Sequence, residues 1–498
     1  MGDRESAAPP RYLAFDLGAE SSRAIVGTFG PGEVVLEELH RFPSKSVLVG
    51  NTRYWDILYF FAEFKEALLK YAAKYGPNVE GIGVDTWGVD FGLIGPSGQL
   101  LSNPVHYRDH RTDGILDEAF EVVPRETLYQ RTGIQFMPLN SLYQFWAARR
   151  TTPELLREAR VFLLMPDLFH YFLTGIPCSE YTIASTTQML DVHRRQWSAS
   201  LFHAFGIPMN IAPRIIEPCT VIGPLDAALA QEAGLDPATR VIAPCAHDTA
   251  SAVAAVPAED RQWIYISCGT WSLMGAELPE PITSEKALKY NFTNEGGIRG
   301  TIRFLKNIMG LWVLQECRAA WAKRGETYDY AELTDRARGA EPFETLLDVD
   351  APLFLNPDDM LDAIAEYCRA TGQRAPRTVG GAVRAVLEGL ALCYALTLEE
   401  LEDTIGIAPE RIHMVGGGTQ NELLCQLASD ATGRPVIAGP VEATAMGNLI
   451  AQAMATGRIA DLSAARRLVA QSTQLTTYQP TNTAAWRPVL ERFRQMRD

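Results

Sequence analysis

Positive charge is scarce in this sequence, which has 45 lysines and arginines against 60 aspartates and glutamates and a formal net charge of −15. Sequence-independent binding to nucleic acid and attraction to anionic lipid both require a positive field on the protein. We therefore expect neither a nucleic-acid partner nor a membrane partner. An acidic protein can still bind the phosphates of a small molecule, through local backbone N–H groups and a metal ion.

Paired cysteines, an apolar leader and long hydrophobic runs are also lacking. The eight cysteines include no Cys-x-x-Cys pair, and Cys245, Cys268 and Cys393 lie inside apolar segments, which favours reduced thiols in the core of a cytosolic protein. The N-terminus MGDRESAAPP has no apolar stretch typical of signal peptides. The most apolar helical run, AVLEGLALCYALTLEEL, contains Glu388 and is predicted to be too short to span a bilayer. We expect a cytoplasmic protein.

What the chain does have is 498 residues, 47% of them apolar, which is more than one compact core normally holds. Two segments about half the chain apart open in the same way. RYLAFDLGAESSRAIVGTFG predicts a β-hairpin with a small polar turn, and RQWIYISCGTWSLMGAEL predicts another, with its turn at residues 268–270. This repetition predicts two domains of related topology.

The remaining patterns predict helices and one further hairpin. GIGVDTWGVDFGLIGPSGQ predicts the hairpin, around Trp87 and Gly88, and helical periodicity is present in NIMGLWVLQECRAAWAK, GGAVRAVLEGLALCYALTLEELED and NELLCQLASDATG. We expect an α/β fold of two lobes with a cleft between them, preceded by a flexible tail over residues 1–10. The acidic segment VPAEDR favours a crossover there, which gives an N-terminal domain over 11–258 and a C-terminal domain over 259–498.

Asp16 ends the first apolar strand, where a carboxylate is costly unless a cation compensates it. It is a candidate ligand of Mg²⁺, directly or through water, beside the turn GAES. The alternative is an aspartate that only starts a turn. The turns GAES and SCGTWS could each point backbone N–H groups at an anion, and two such turns suit a triphosphate, which needs donors on more than one side.

A third candidate follows another apolar strand, which ends in Gly416, Gly417 and Gly418, with a helix predicted to begin at Thr419 or Gln420. Glycines at this place let a flat ring or a phosphate approach the backbone next to a helix N-terminus. The segment is neither a P-loop nor a G-x-G-x-x-G fingerprint. A plain tight turn between strand and helix is an equal alternative.

The segment VIAPCAHDTASAVAAV places His247, Asp248 and Thr249 where an apolar strand ends and small side chains follow. Asp248 is a candidate general base, since the small residues behind it let a substrate or the opposite lobe come close. Taken alone, an aspartate in this setting is more often a helix N-cap, so the surroundings of Asp248 have to decide.

The order of these segments resembles that of the FGGY family of carbohydrate kinases over roughly residues 11–480. The segments that carry the resemblance are YLAFDLGAESSR, GVDTWGVDFGLI, NPVHYRDHRTDG, YQRTGIQFMPLNSLYQ, LLMPDLFHYFLTG, EYTIASTTQMLDV, AHDTASAVAAVP, ISCGTWSLMG, TNEGG, LKNIMGLWVLQECR and VGGGTQNELLCQLASDATGRPVIAGPVEATAMGN. The resemblance implies two actin-like (ribonuclease-H-like) lobes with ATP and sugar in the interdomain cleft.

The resemblance also implies roles for individual positions. Asp248 matches the catalytic base. The positions that match sugar contacts are Gly88, His247, Thr249 and Asn307. The positions that match ATP contacts are Ala19, Glu20, Ser21, Ser22 and Arg23 in the first phosphate loop, Thr270 in the second, Gln315, and Gly416, Gly417 and Gly418 at the adenosine site.

One departure from the family lies in the first loop, where many relatives read D-L-G-A-S-S-G-R and this chain reads DLGAESSR. Glu20 adds a negative charge and Ser22 takes a glycine position. An inward Glu20 would repel ATP unless Mg²⁺ or Arg23 compensates it, whereas an outward Glu20 is only a loop residue; we expect the outward orientation.

GVDTWGVDF, HDTASAV, SCGTWSLMG and LKNIMGLW are typical of the branch that phosphorylates L-rhamnulose on its 1-hydroxyl. The reaction implied is transfer of the γ-phosphoryl group of ATP with Mg²⁺, while Asp248 accepts the hydroxyl proton. One alternative is a kinase of the same family for L-fuculose or L-xylulose. Others are an actin- or Hsp70-like ATPase that switches a partner, and a sugar sensor without turnover, which would be expected to lack the base.

Overall fold

The structure is a computed structural model that describes residues 9–258, 260 and 262–497. The flexible tail was predicted over residues 1–10, and residues 1–8 of it lie outside the described residues. Residues 259 and 261 of the predicted crossover also lie outside them. Strands and helices alternate along the chain, as an α/β fold requires.

The elements are numbered here in chain order. The strands are β1 (Arg11–Leu17), β2 (Ser21–Phe29), β3 (Val34–Pro43), β4 (Ser46–Val49), β5 (Thr52–Trp55), β6 (Gly81–Thr86), β7 (Phe91–Ile94), β8 (Val161–Leu164), β9 (Ser179–Glu180), β10 (Leu190–Asp191), β11 (Gln196–Trp197), β12 (Ile215–Ile216), β13 (Thr220–Pro224), β14 (Arg240–Ala243), β15 (Trp263–Cys268), β16 (Trp271–Leu278), β17 (Thr293–Gly296), β18 (Ile302–Met309), β19 (Arg411–Val415), β20 (Val436–Ala438) and β21 (Thr476–Tyr478).

The helices are α1 (Ile57–Tyr75), α2 (Ile115–Val122), α3 (Arg125–Thr132), α4 (Ser141–Thr151), α5 (Pro153–Glu158), α6 (Met165–Thr174), α7 (Tyr181–Ala184), α8 (Ala199–Ala204), α9 (Ala227–Ala233), α10 (Asp248–Ala254), α11 (Glu285–Lys289), α12 (Trp312–Lys323), α13 (Tyr330–Arg338), α14 (Met360–Ala370), α15 (Val379–Ile405), α16 (Glu422–Thr432), α17 (Ala443–Ala455), α18 (Leu462–Ser472) and α19 (Thr483–Arg497). Short 3₁₀ turns lie at His110–Thr112, Ser185–Thr187, Met209–Ile211, Ile298–Gly300, Pro352–Phe354 and Gly417–Gln420.

The chain divides into two compact units that interleave along the sequence. The first unit contains the described residues up to 258, Glu277–Phe304 and Ala443–Thr473. The second contains the described residues between 260 and 276, Leu305–Glu442 and the described residues from 474 onward. These units differ from the predicted division into 11–258 and 259–498, because two later segments of the chain return to pack in the first unit. The division into domains 11–258 and 259–498 remains a prediction from the sequence.

The sheet of the first unit has the strand order β13-β14-β6-β1-β2-β3. The predicted first hairpin is confirmed, since β1 and β2 pair antiparallel with Asp16 opposite Arg23. Strand β6 lies parallel to β1 on its other side, and this register sets Asp85 beside Asp16. Apolar residues on both faces suit β1 and β6 to the centre of the sheet.

The predicted hairpin around Trp87 and Gly88 is wrong. Strand β6 pairs in parallel with β1 and β14, while β7 pairs antiparallel with β8 in a separate ribbon. Both apolar runs are buried. A buried strand can pair with a strand from a distant part of the chain as readily as with the next strand in sequence. The residues between the two runs therefore form an irregular turn.

The small residues after Asp248 have a packing role in the first unit. Helix α10 packs against α17, and a Cβ atom added to Gly447 of α17 would lie 1.8 Å from the carbonyl oxygen of Ser251. Two helix backbones approach this closely only where side chains are absent or small. The small residues thus admit α17, a helix nearly 200 positions later in the sequence.

In the second unit, β15 and β16 form the predicted second hairpin, which is confirmed. Strand β19 pairs parallel to β15, β20 pairs parallel to β19, and β21 closes this edge antiparallel to β20. The helices predicted in GGAVRAVLEGLALCYALTLEELED and NELLCQLASDATG are α15 and α16, and the segment NIMGLWVLQECRAAWAK is helical only from Trp312.

The expectation that the apolar run around Glu388 is too short to span a bilayer is wrong. Helix α15 has 27 residues and is, among the described residues, the one helix long and apolar enough to cross a membrane by length and composition. Within the protein, 83% of its most apolar window is buried, as in the core helix of a folded domain. Glu388 accepts a 2.6 Å hydrogen bond from Arg384 there, so its burial is compensated.

Candidate functional site

Three carboxylates of the first unit lie near one another at the ends of its central strands. Asp16 is 6% exposed, and its Oδ2 accepts a 2.7 Å hydrogen bond from Nη2 of Arg23 on the paired strand. Asp85 is fully buried on β6, next to Asp16. The charge of Asp16 also helps to raise the pKa of Asp248, which begins α10.

Asp85 is the most deeply buried of these carboxylates. Its Oδ2 accepts a 2.6 Å hydrogen bond from Asn448 of α17, while its Oδ1 has no hydrogen-bond partner among the described residues. Burial, together with the charge of Asp16, raises the pKa of Asp85 well above the usual range. Paired carboxylates with an unpartnered oxygen fit a hard divalent cation, which takes oxygen ligands. The residues present therefore fit Mg²⁺ at Asp16, with Asp85 beside it.

The predicted first phosphate loop is the turn between β1 and β2. Its backbone is closed by a hydrogen bond from the Gly18 amide to the Ser21 carbonyl, 3.2 Å long. Ser22 is fully buried, and its hydroxyl lies 2.9 Å from that of Ser44, which in turn donates to the Gly18 carbonyl at 2.6 Å. Serine is thus accommodated at the glycine position because its side chain turns into the protein and braces the loop.

The remaining residues of this loop are open to solvent. Glu20 is exposed and Ala19 is partly exposed, so the added carboxylate lies in solvent, and its predicted outward orientation stays a prediction. The carbonyl of Glu20 accepts a hydrogen bond from the Ser44 amide at 3.0 Å. Ser44 therefore binds the loop through its amide as well as its hydroxyl.

Asp248 is the first residue of α10, and the preceding His247 occupies the N-cap position. Its Oδ1 accepts hydrogen bonds from the amide and, at 3.1 Å, the hydroxyl of Thr249, and lies 3.4 Å from Nε2 of His247. The side chain is 31% exposed, whereas that of His247 is 9% exposed. Burial of the carboxyl group raises the pKa of Asp248 above its usual range, against the opposing effect of His247. Asp248 is therefore a partly exposed carboxylate at the first position of α10, while His247 holds the N-cap position.

Buried groups fix the backbone before Asp248. The carboxylate of Glu180 accepts hydrogen bonds from three backbone amides, including that of Ala246 at 3.0 Å, and the His247 amide donates to the Thr182 hydroxyl at 3.2 Å. On the other side, the Thr86 amide donates to the Ala246 carbonyl at 3.0 Å. Burial raises the pKa of Glu180 to about 7. The backbone of Ala246 and His247, directly before Asp248, is therefore held from two directions.

Gly88 lies in the irregular turn that follows β6. A Cβ atom at Gly88 would meet the hydroxyl oxygen of Thr186 at 3.0 Å, so a larger residue here would require the Thr186 side chain to shift. The next residue, Val89, has a φ of 68°, a strained value for a β-branched side chain. Its amide donates to Thr186 at 3.2 Å and its carbonyl accepts from Ser141. The backbone at Gly88 is therefore held rigidly.

Thr270 and Gln315 lie close to one another in the second unit. Thr270 is in the turn between β15 and β16, and the amides of Leu311 and Trp312 donate to the carbonyls of Gly269 and Thr270 at 3.0 and 3.2 Å. A Cβ atom at Gly310 would lie 2.5 Å from the Trp271 carbonyl carbon. The turn between β15 and β16 therefore packs against the start of α12. Gln315 lies in the first turn of that helix.

The glycine triplet lies beside the same hairpin. A Cβ atom at Gly418 would lie 2.2 Å from the sulfur of Cys268. Gly416 has a φ of 90°, and a Cβ atom there would lie 2.9 Å from the Cys268 carbonyl oxygen. Gly417 is exposed, and among the described residues nothing lies within 4 Å of its Cβ position. The triplet enters a 3₁₀ turn before α16, so the predicted helix starts at Glu422 instead of Thr419 or Gln420. Asn307 is half-buried on β18 in this unit.

Sequence comparison identifies the family of this chain. A model of the FGGY family of carbohydrate kinases, N-terminal domain, matches residues 11–255, and the C-terminal domain of the same family matches residues 264–456. The chain belongs to the FGGY family of carbohydrate kinases. It is a sugar kinase, and the family implies ATP as the phosphoryl donor.

Similar proteins span almost all of this FGGY chain. A rhamnulokinase of Bacteroides thetaiotaomicron is 45% identical, with 95% of this chain and 97% of the relative covered. A rhamnulokinase of Oceanobacillus iheyensis is 42% identical, with 94% and 97% covered. One of Bacillus subtilis is 37% identical, with 94% and 95% covered.

Solved structures confirm the fold class of the FGGY chain. A ligand-bound xylulose kinase from Lactobacillus acidophilus superimposes with a TM-score of 0.80 at 17% identity, with 98% of each chain covered. Plasmodium falciparum glycerol kinase with ADP gives a TM-score of 0.75 at 16% identity, with 97% of this chain and 98% of that one covered. The predicted α/β fold with two actin-like domains is confirmed by this likeness.

Sequence reasoning missed several buried residues around the predicted ones. Asp85 stands within the quoted segment GVDTWGVDFGLI, and its place at the end of an apolar run was a usable signal of the same kind as that of Asp16. Glu295 and Arg303 contact His247 from 48 and 56 residues away, at 3.2 and 3.0 Å. No local sequence pattern predicts these contacts with His247, because they depend on how a later segment of the chain returns to the sheet.

Proposed function

We propose that this kinase phosphorylates the 1-hydroxyl of L-rhamnulose with ATP, as a step of L-rhamnose catabolism, and that Asp248 is its general base. The observation that carries the proposal is the Asp248 carboxylate, which is partly exposed, has a raised pKa and receives its contacts on Oδ1. The choice of sugar is supported by relatives named rhamnulokinase at 37–45% identity over nearly the whole chain.

In the proposed reaction, the 1-hydroxyl oxygen of the sugar attacks the γ-phosphorus of ATP. The new O–P bond forms as the bond to the bridging oxygen of ADP breaks, and the hydroxyl proton passes to Oδ2 of Asp248. The products are L-rhamnulose 1-phosphate and ADP. His247, Thr249, Gly88 and Asn307 are proposed sugar contacts, and the rigid backbone at Gly88 suits a fixed sugar orientation.

The nucleotide is proposed to bind along the family's ATP positions. These are the first loop (Ala19, Glu20, Ser21, Ser22 and Arg23), the second loop at Thr270, Gln315, and the adenosine site at Gly416, Gly417 and Gly418. Mg²⁺, held by Asp16 with Asp85 beside it, would offset the negative charge of the phosphates. Because ATP and reduced thiols are cytoplasmic, we place the protein in the cytoplasm; all eight cysteines, which lie in the described part of the chain, are free thiols there.

The test is a coupled ADP-release assay with Mg·ATP across L-rhamnulose, L-fuculose, L-xylulose, L-ribulose and glycerol, with the Asp248→Asn variant beside the wild type. We expect L-rhamnulose to give the highest kcat/KM. We expect the variant to lose about 10²-fold or more of kcat, because no general base remains. A preference for L-fuculose or L-xylulose would assign the other kinase activity, and ADP release without sugar would favour an ATPase switch.

The pH profile adds a second readout for Asp248. The base acts in its ionised form, and burial raises its pKa above the ordinary value of 3.8. As pH is lowered, kcat/KM should therefore fall with an acidic apparent pKa above 3.8, and Asp248→Asn should lack this limb. Sugar binding by calorimetry without turnover at any pH would favour the sensor.

A further inference from the structure

The segment TNEGG contains strand β17, and the proposed reaction gives this segment no role. Its Glu295 is 4% exposed and pairs with the fully buried Arg303, with Oε2 3.0 Å from Nη2. Nε of Arg303 donates to the Gly296 carbonyl at 2.8 Å, which anchors the guanidinium group. A buried pair this far from solvent costs desolvation energy, so its position calls for an explanation.

Both members of this pair meet the imidazole ring of His247 at the same nitrogen. Nδ1 of His247 lies 3.0 Å from Nη2 of Arg303 and 3.2 Å from Oε2 of Glu295. On the far side of the ring, Nε2 lies 3.4 Å from Oδ1 of Asp248. The ring therefore bridges the buried pair and the proposed general base.

Hydrogen-bond chemistry decides where the ring carries its proton. A guanidinium group can only donate, so the contact with Arg303 requires a lone pair on Nδ1 of His247. A neutral ring then carries its hydrogen on Nε2, and this N–H points at the Asp248 carboxylate. The opposite tautomer would place a lone pair against that carboxylate. A proton on Nδ1 could be donated to Oε2 of Glu295 at 3.2 Å, but it would also meet the nearer donor Nη2 of Arg303 at 3.0 Å, so we favour the Nε2–H tautomer.

The charges of the pair favour the same arrangement. Burial alone would raise the pKa of Glu295, but the charge of the buried Arg303 outweighs it and brings the pKa to about 2. Glu295 is thus ionised and holds Arg303, and the two charges offset one another.

The position of the His247 proton matters because it selects one oxygen of the base. Within the described residues, the contacts to Asp248 come from Thr249 and His247, and all of them reach Oδ1. Oδ2 is then the oxygen that can accept a proton from a substrate.

We propose that Glu295 and Arg303 are positioning residues which hold His247 as the Nε2–H tautomer, so that Oδ1 of Asp248 is occupied and Oδ2 faces the sugar hydroxyl. This inference rests on the proposed function for its effect on rate, but the state of the ring can be measured independently. Arg303 acts through His247 and does not itself touch the substrate.

The experiment combines ¹⁵N NMR of histidine-labelled protein with kinetics of Arg303→Met. The chain has eight histidines, and the His247 signals are identified by their absence in His247→Gln. In the wild type we expect a neutral ring protonated on Nε2. In Arg303→Met the Glu295 carboxylate becomes the remaining neighbour of Nδ1, so the proton should move to Nδ1 and kcat should fall, by as much as about 10²-fold for a misplaced base. The KM for ATP should change less than twofold, and Arg303→Lys should restore part of kcat.

The matched control is Arg384→Met, which breaks another buried pair, with Glu388. It should lower stability without altering the His247 signals or kcat. A wild-type ring with its proton on Nδ1 overturns the proposal, as does an unchanged tautomer or kcat in folded Arg303→Met. If Arg303→Met fails to fold, the wild-type and Arg303→Lys spectra decide. Sugar-independent ADP release in the wild type would refute the proposed function and leave the tautomer result standing.

Discussion

At the scale of single residues, two glycines of the triplet are expected to have different roles: Gly418 allows close packing, and Gly417 leaves room for a ligand. Gly418 faces Cys268 at a distance that leaves no room for a methyl group, whereas Gly417 is open. We expect Gly418→Ala to lower the free energy of unfolding by about 1–3 kcal/mol through overpacking. Gly417→Ala should change it by less than about 0.5 kcal/mol.

Gly417→Ala should nevertheless raise the KM for ATP several-fold, because its new methyl group occupies the surface proposed for adenosine. Denaturant melts and initial rates measure both effects, with the KM for sugar as the internal control. An unchanged ATP KM in Gly417→Ala would mean that adenosine does not rest on this turn.

At the scale of one element, the turn after β6 depends on the buried Asp90. Its carboxylate accepts hydrogen bonds from four donors, which are Nε1 of Trp55 (2.6 Å), Nε1 of Trp87 (3.0 Å), the amide of Tyr107 (3.2 Å) and Nε2 of Gln144 (2.9 Å). Burial raises the pKa of Asp90 to about 6, although these hydrogen bonds oppose the shift. The folded protein therefore binds this proton more tightly than the unfolded chain does.

Stability linked to such a proton is fully present below the unfolded pKa and is lost as pH rises through the folded one. The free energy of unfolding of the wild type, relative to Asp90→Asn, should thus decrease between pH about 4 and about 6. Chemical melts at a series of pH values measure this difference, with the exposed Asp117→Asn as control. A difference that stays constant with pH would show that Asp90 is ionised throughout.

At the scale of the whole molecule, the first unit is built from distant parts of the chain. Helix α17 packs its Gly447 on α10, and Asn448 next to it donates to Asp85. We expect a fragment of residues 9–258 to lack a cooperative thermal transition, because the α17-facing side of α10 and the carboxyl group of Asp85 lose their partners. Circular dichroism melts and the dispersion of amide NMR signals test this against the full chain. A cooperative fragment would support 11–258 as an independent domain.

The local elements of this protein were determined by the sequence itself. Two hairpins, the long helix α15 and the places of Asp16 and Asp248 at strand ends follow from apolar runs that stop at small polar turns, because such signals lie within a few neighbouring residues. The motifs also placed the chain in its family.

Only the tertiary structure decided what surrounds these residues. It set Asp85 against Asp16, brought Glu295 and Arg303 to His247, and paired β6 with β1 instead of β7. Each of these contacts joins segments that are remote in sequence. Their geometry depends on strand order and on the returning segments, which a local pattern does not specify.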